Sequence, residues 1–230
     1  METKITFTGA VKLEIREGFS PVIFRDVDIT DRLWELAGAF DGSVIRVRRS
    51  TVGTDAGTVE AIELKVIHSG LLQRPMVRRI FEVDDGVEVI DVIDNVEFYL
   101  KPDYQGQGIG ATSLMTQALA AYSLGIQKIW AIAAGGDGSG DIGYRVWPKL
   151  GYDAQIPDDV LQKMPRNQLV SAGIDLTKPV LLSNLIDVGL FSLWEEHGSG
   201  CLVEFDVSSP KFLVDALVTE YSANALATSQ

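Results

Sequence analysis

Apolar and polar residues alternate at the start of the chain, where Ile5, Phe7, Val11, Leu13 and Ile15 all fall on odd positions. That period predicts a half-buried strand or a hairpin bent at Gly9. A short helix follows, with Thr30 or Asp31 to cap it, Leu33, Trp34, Leu36 and Ala37 on its apolar side, and Gly38 with Asp41-Gly42 to end it. Strand-like runs come next, around Val44 to Arg48, Thr58 to Ile67, Met76 to Val83 and Val87 to Leu100, punctuated by Gly53, Gly57, Gly70 and Asp85-Gly86. The Asp-Gly pair reads as a tight hairpin turn, so this region is an antiparallel block.

From Gly108 the period becomes helical: Ala111, Leu114, Met115, Ala118, Leu119 and Tyr122 share a side, and Gly125 is placed to stop the helix. A buried strand from Lys128 to Ala134 and the flexible-looking Gly135 to Gly140 follow. A second helix is expected from about Asp141 to Leu150, with Pro148 inside it kinking the helix and freeing the carbonyl of Tyr144. In the tail, Asp158 to Met164 and Pro179 to His197 read as helices, Cys201 to Val207 as a strand and Pro210 to Tyr221 as a further helix. The expectation is one domain over 1–230, with a core at about 87–152 and an extension, 155–230, that completes and covers the sheet.

Composition narrows the function classes. A chain of 230 residues, 46% hydrophobic, can bury a substantial core, and neither a long apolar run nor the charged start Met1-Glu2-Thr3-Lys4 suggests a membrane span or a signal peptide. Cys201 is the only cysteine, which rules out an intramolecular disulfide and fits a cytoplasmic location. A net charge of -12 argues against a nucleic-acid partner and suits a cationic one, with no membrane partner expected and room left for a homodimer. Two basic runs stand against that balance, Arg46-Val47-Arg48-Arg49 and Arg74 to Arg79. They are either the solvent face of strands or a patch for the 3'-phosphate of coenzyme A.

The chemistry concentrates in Tyr99 to Ala111, where an apolar strand meets a helix through Gly106, Gly108 and Gly110. With no side chains there, an anion can approach the main chain and meet the first free N–H groups of the helix. The stretch resembles the pyrophosphate loop of the GNAT superfamily of N-acetyltransferases, whose signature is Arg or Gln, two residues, Gly, any residue, then Gly or Ala; Gln105, Gly108 and Gly110 fill those places. Leu100-Lys101-Pro102 is similar to the end of that family's fourth strand, and Lys149-Leu150-Gly151-Tyr152 to the Lys-Leu-Gly-Phe closing its fourth helix.

The resemblance implies an α/β (α+β) fold with a mixed, largely antiparallel central sheet flanked by helices, and extra helices at the C-terminus. It implies acetyl-CoA as cofactor and transfer of acetyl to a primary amine, on a small molecule or a peptide, by direct attack in a ternary complex. Gln105, Gly106, Gln107, Gly108, Ile109, Gly110 and Ala111 would bind the pyrophosphate, and Tyr99, Leu100 and Lys101 would pair in strand fashion with pantetheine. Such chemistry needs a base for the amine, and Glu97 is the first candidate and Asp91 the second, placed on one face by alternation, with Asp94 on the other unless a bulge at Asn95 changes the register. The family's proton-donating Tyr is replaced by Trp147, which leaves Tyr144, a turn earlier, as the candidate donor or as core packing.

Other readings remain. A GNAT-like acyl-CoA-binding or structural protein without turnover is the main alternative. Gly106, Gly108 and Ala111 also satisfy the dinucleotide pattern of NAD(P) proteins, but the strand Lys128 to Ala134 ends without the acid that pattern pairs with, so this reading ranks below the others. A nucleotide P-loop would need Gly-Lys followed by Ser or Thr, and Ala111 follows Gly110. His68 and His197 lack metal-ligand spacing, so no metal is expected.

Overall fold

Long paired strands dominate the first half of the chain. The computed structural model describes residues 5–54, 57–84, 86–136, 138 and 140–208. These fall into two units, one holding the described residues up to Ile129 and those from Asp206 onward, the other Trp130–Phe205. The fold is mixed α/β, with a largely antiparallel sheet flanked by helices.

The first unit contains β1 (Lys12–Ile15), β2 (Ile23–Phe24), β3 (Val27–Asp28), α1 (Leu33–Ala37), β4 (Val44–Thr54), β5 (Gly57–Ile67), β6 (Met76–Asp84), β7 (Val89–Glu97), α2 (Ile109–Ser123) and the start of β8 (Lys128–Ala133). Its sheet runs β1-β4-β5-β6-β7, antiparallel except for β1, which pairs parallel with β4. The opening alternation therefore does not make a hairpin at Gly9. That bend is held by Asp41 instead, whose Oδ1 accepts the N–H groups of Thr8 (2.8 Å) and Ala10 (3.1 Å).

One face of the sheet carries Ile62, Leu64, Val66, Met76, Ile80 and Ile93, all buried. A buried polar chain ties this face to both helices: Asn95 and Gln117 exchange hydrogen bonds (2.9 and 3.1 Å), and Gln117 Nε2 donates to Leu36 O at 2.8 Å. Where α1 meets α2, Gly38 is required twice over. Its φ is 60°, and a Cβ there would lie 2.4 Å from Ser113 O, while Ser113 Oγ donates to Gly38 O at 2.7 Å. The β2–β3 hairpin gave no sequence signal, because Arg25 (φ 47°) and Asp26 (φ 62°), not glycine or asparagine, take the left-handed turn positions. Of the Asp85-Gly86 pair expected as a hairpin turn, Asp85 lies outside the described residues, and Gly86 N donates to Asp84 Oδ1 at 2.9 Å.

The second unit continues β8 and contains α3 (Gly143–Val146), α4 (Asp158–Leu161), α5 (Arg166–Ser171), α6 (Leu182–Asp187), α7 (Phe191–His197) and most of β9 (Cys201–Asp206). Pro148 acts as the sequence suggests, and more strongly. The helix stops at Val146, a 3-10 turn takes Pro148–Leu150, and the carbonyl of Tyr144, which has lost its helical donor, accepts the buried Trp194 Nε1–H at 2.7 Å. The stretch expected as one helix over Pro179 to His197 is two, separated at Gly189 (φ 72°). Gly135 is held tightly: it bridges to Ile142, and a Cβ there would lie 2.1 Å from Asp141 O. Asp137 and Ser139 of that segment, like the helix expected over Pro210 to Tyr221, lie outside the described residues.

Candidate functional site

The approach to α2 is built from a strand edge and a braced turn. Leu100 forms an antiparallel bridge with Leu72, flanked by Gln73 N–H donating to Tyr99 O and Lys101 N–H donating to Leu71 O, both at 2.9 Å. Lys101 Nζ also donates to Ser69 O at 2.5 Å. In this pairing the main-chain groups of Leu100 point away from the 71–73 segment. Its carbonyl accepts Gln105 Nε2 at 3.0 Å, and its N–H has no partner among the described residues.

A 3-10 turn, Pro102–Tyr104, follows, braced by Gln107 Nε2 donating to Asp103 O at 2.6 Å. Gly106 (φ 73°) and Gly108 (φ 77°) then turn the chain into α2. A Cβ at either position would meet nothing within 4 Å, so the left-handed backbone requires glycine and the space above is open. Among the described residues none of the N–H groups of residues 106–111 donates to a carbonyl or a side chain; the first to do so is Thr112, to Gly108 O at 3.0 Å. They begin a helix of 15 residues with no acidic residue in its first turn, so its positive end is uncompensated.

The candidate bases separate. Between Val77 and Arg78 the β6–β7 register slips: Val77 faces Glu97, but Arg78 faces Asn95, so Val96 is an extra residue. Directly opposed residues share a face, which puts Glu97 with Val77, Arg79 and Asp94, and Asp91 with Glu82, Ile80 and Asn95. This corrects the simple alternation that joined Glu97 to Asp91. Phe98 confirms the sides, since its ring lies 5.2 Å from the Arg78 guanidinium and near Gly110, leaving Glu97 and Tyr99 on the other face.

Glu97 is half-buried, at the end of β7 nearest the loop, and its carbonyl accepts Arg78 Nη1–H at 3.1 Å. Asp91 lies six residues back, roughly 20 Å along the strand. It is fully buried, with Arg25 Nη1 2.9 Å from Oδ2 but not aligned as a hydrogen bond. Burial raises its carboxyl to about 6 against the opposing charge of Arg25, with Glu82 adding to the rise. Asp94 is also raised, by burial first and in spite of Arg79 and Arg78.

In the second unit, Tyr144 is 5% exposed, packs edge-on against Trp194 and donates its hydroxyl to Glu195 O at 3.2 Å. The structure uses it for packing. The two basic runs also dissolve into separate roles. Arg46 pairs with Glu14 (2.9 Å), Arg48 and Arg79 with Glu63 (2.6 and 3.4 Å), and Arg78 is buried. Arg49 lies 5.2 Å over the Phe19 ring. Arg74 differs from all of these: it is exposed, stacks 3.6 Å over the Tyr99 ring, and makes no ion pair among the described residues. Nothing in the sequence distinguished it from its neighbours.

Among the described residues no cluster of His, Cys, Asp or Glu has the grouping of a metal site, and no helix is long and apolar enough to cross a membrane. No protein-family model matches the chain, and no curated protein sequence matches it. Among solved structures, that of nourseothricin acetyltransferase is similar at 10% identity, over 50% of this chain and 74% of that one, with a TM-score of 0.28. A likeness of that size bears on neither the activity nor the ligands of this chain.

Proposed function

We propose that the chain binds acetyl-coenzyme A and transfers its acetyl group to a primary amine. The observation that carries this reading is the run of N–H groups over residues 106–111 without partners among the described residues, with open space above Gly106 and Gly108 at the positive end of α2. Such an array suits a diphosphate, which needs several donors at once and gains from the helix dipole. Acetyl-coenzyme A would supply the activated acetyl group. The Leu100 N–H, facing away from its strand partner, would orient an amide or a thioester carbonyl by hydrogen bonding. Glu97 would take the proton of the acceptor amine, directly or through water, because a protonated amine has no lone pair with which to attack.

A second reading, a protein that binds acyl-coenzyme A without turning it over, is favoured by the commitment of the Tyr144 hydroxyl to Glu195 O. A thiol leaving group with an ordinary pKa of about 8.5 departs as thiolate without strict need of an acid, so the first reading stands. Release of free thiol from acetyl-coenzyme A across a panel of primary amines decides between them. The expected result is amine-dependent thiol release; binding without release would select the second reading.

A further inference from the structure

Glu97 and Tyr99 flank Phe98 on the strand that feeds the loop, so both project from the sheet face opposite α1 and α2, about 7 Å apart along the chain. Glu97 brings a carboxylate with no ion pair among the described residues. Tyr99 brings a ring whose centre lies 3.6 Å from the Arg74 guanidinium carbon. Cation–π contact with the ring holds that guanidinium in place, and with no ion pair or hydrogen bond among the described residues its forked N–H groups remain available for two-pronged recognition of a carboxylate. The half-buried Val77, directly opposite Glu97, provides an apolar floor, and Lys65, opposite Val77 on the next strand, adds a second exposed cation without an ion pair among the described residues.

A carboxylate and a cation held against an aromatic ring, with neither ion-paired among the described residues, complement a ligand carrying the reverse pair of charges. We infer that the acceptor is amphoteric, an amino acid or peptide whose amine meets Glu97 and whose carboxylate meets Arg74. The role given to Glu97 rests on the function proposed above; the complementarity of the two charges does not. It also resolves how a chain of net charge -12 leaves Arg74, beside its candidate site, without an ion pair among the described residues.

Calorimetric titration of 4-aminobutyrate and of butylamine into the purified full chain tests the inference without requiring turnover. The amino acid is expected to bind at least about tenfold more tightly, Arg74→Leu to remove that difference, and Glu97→Gln to weaken both ligands. Arg74→Lys, which keeps the charge but loses the fork, should recover only part of it. Equal binding of the two ligands, binding of neither, or an unchanged ratio in Arg74→Leu would overturn the inference. So would an Arg74→Leu variant that loses affinity for acetyl-coenzyme A but not for its 3'-dephospho form, since the guanidinium would then serve the cofactor. Discrimination between the two amines without any binding of acetyl-coenzyme A would leave the amphoteric site standing and remove the acetyltransferase.

Discussion

Replacing Gly108 by Glu should reduce affinity for acetyl-coenzyme A by about 100-fold or more while leaving the chain folded. Two effects act together. The new carboxylate would sit in open space at the start of α2, where it can itself accept the free N–H groups, and its charge would repel a diphosphate. The backbone there has φ 77°, so a residue with a Cβ also pays roughly 1–2 kcal/mol of strain. Gly108→Asn separates the two, because Asn tolerates the left-handed region and adds no charge. Calorimetry should show Asn within about tenfold of the parent and Glu without measurable heat, both variants keeping a cooperative melt. Equal affinity in the parent and in Gly108→Glu would remove the loop from the site.

The second large effect is on stability and follows from Asp91. Its folded-state carboxyl sits near 6, above the usual 3.8, so the native state holds a proton that the unfolded chain has released. The contribution is fully present below about pH 4, is lost as pH rises through 6, and stays lost above it, for a cost on the order of 3 kcal/mol. Asp91→Asn should therefore be more stable than the parent at pH 8, by about 1–2 kcal/mol, since a buried amide without partners forfeits part of the gain. Arg25→Ala, at the same left-handed position, removes the cation that pairs with Asp91 among the described residues and should destabilise at pH 8 but not at pH 4. Chemical denaturation at both pH values reads this directly. An Asn variant less stable at pH 8 would mean that the ion pair outweighs the burial.

How much of this was legible follows from which interactions are local. The strands β5 and β6, the helix α2 and its stop before Gly125 are written in periodicity and glycine placement and appear close to where the pattern puts them, whereas β4 runs on to Thr54, six residues beyond the expected Arg48, and β7 is confined to Val89–Glu97. The effect of Pro148 was also readable, because a missing N–H frees one identifiable carbonyl; that Trp194 would claim it was not, since the two residues are far apart in sequence. The parallel β1 depends on which strand it finds after an intervening helix, and alternation is the same for either direction. The extra residue at Val96 is similarly silent, yet it moves Glu97 to the other face from Asp91 and so decides which carboxylate keeps company with the loop. Arg74 shows the same limit: an arginine stacked on an aromatic ring and an arginine in a salt bridge look alike in a basic run.

Peptide N–H groups of residues 106–111 are proposed to hold the diphosphate of acetyl-coenzyme A. An amide NMR titration of acetyl-coenzyme A, with NAD as the comparison, reads that contact residue by residue. Saturable shifts centred on Gly106 to Ala111 are expected with acetyl-coenzyme A, together with a shift at Leu100 that NAD, which has no pantetheine arm, does not produce; shifts confined to other residues, or no shifts at all, would contradict it.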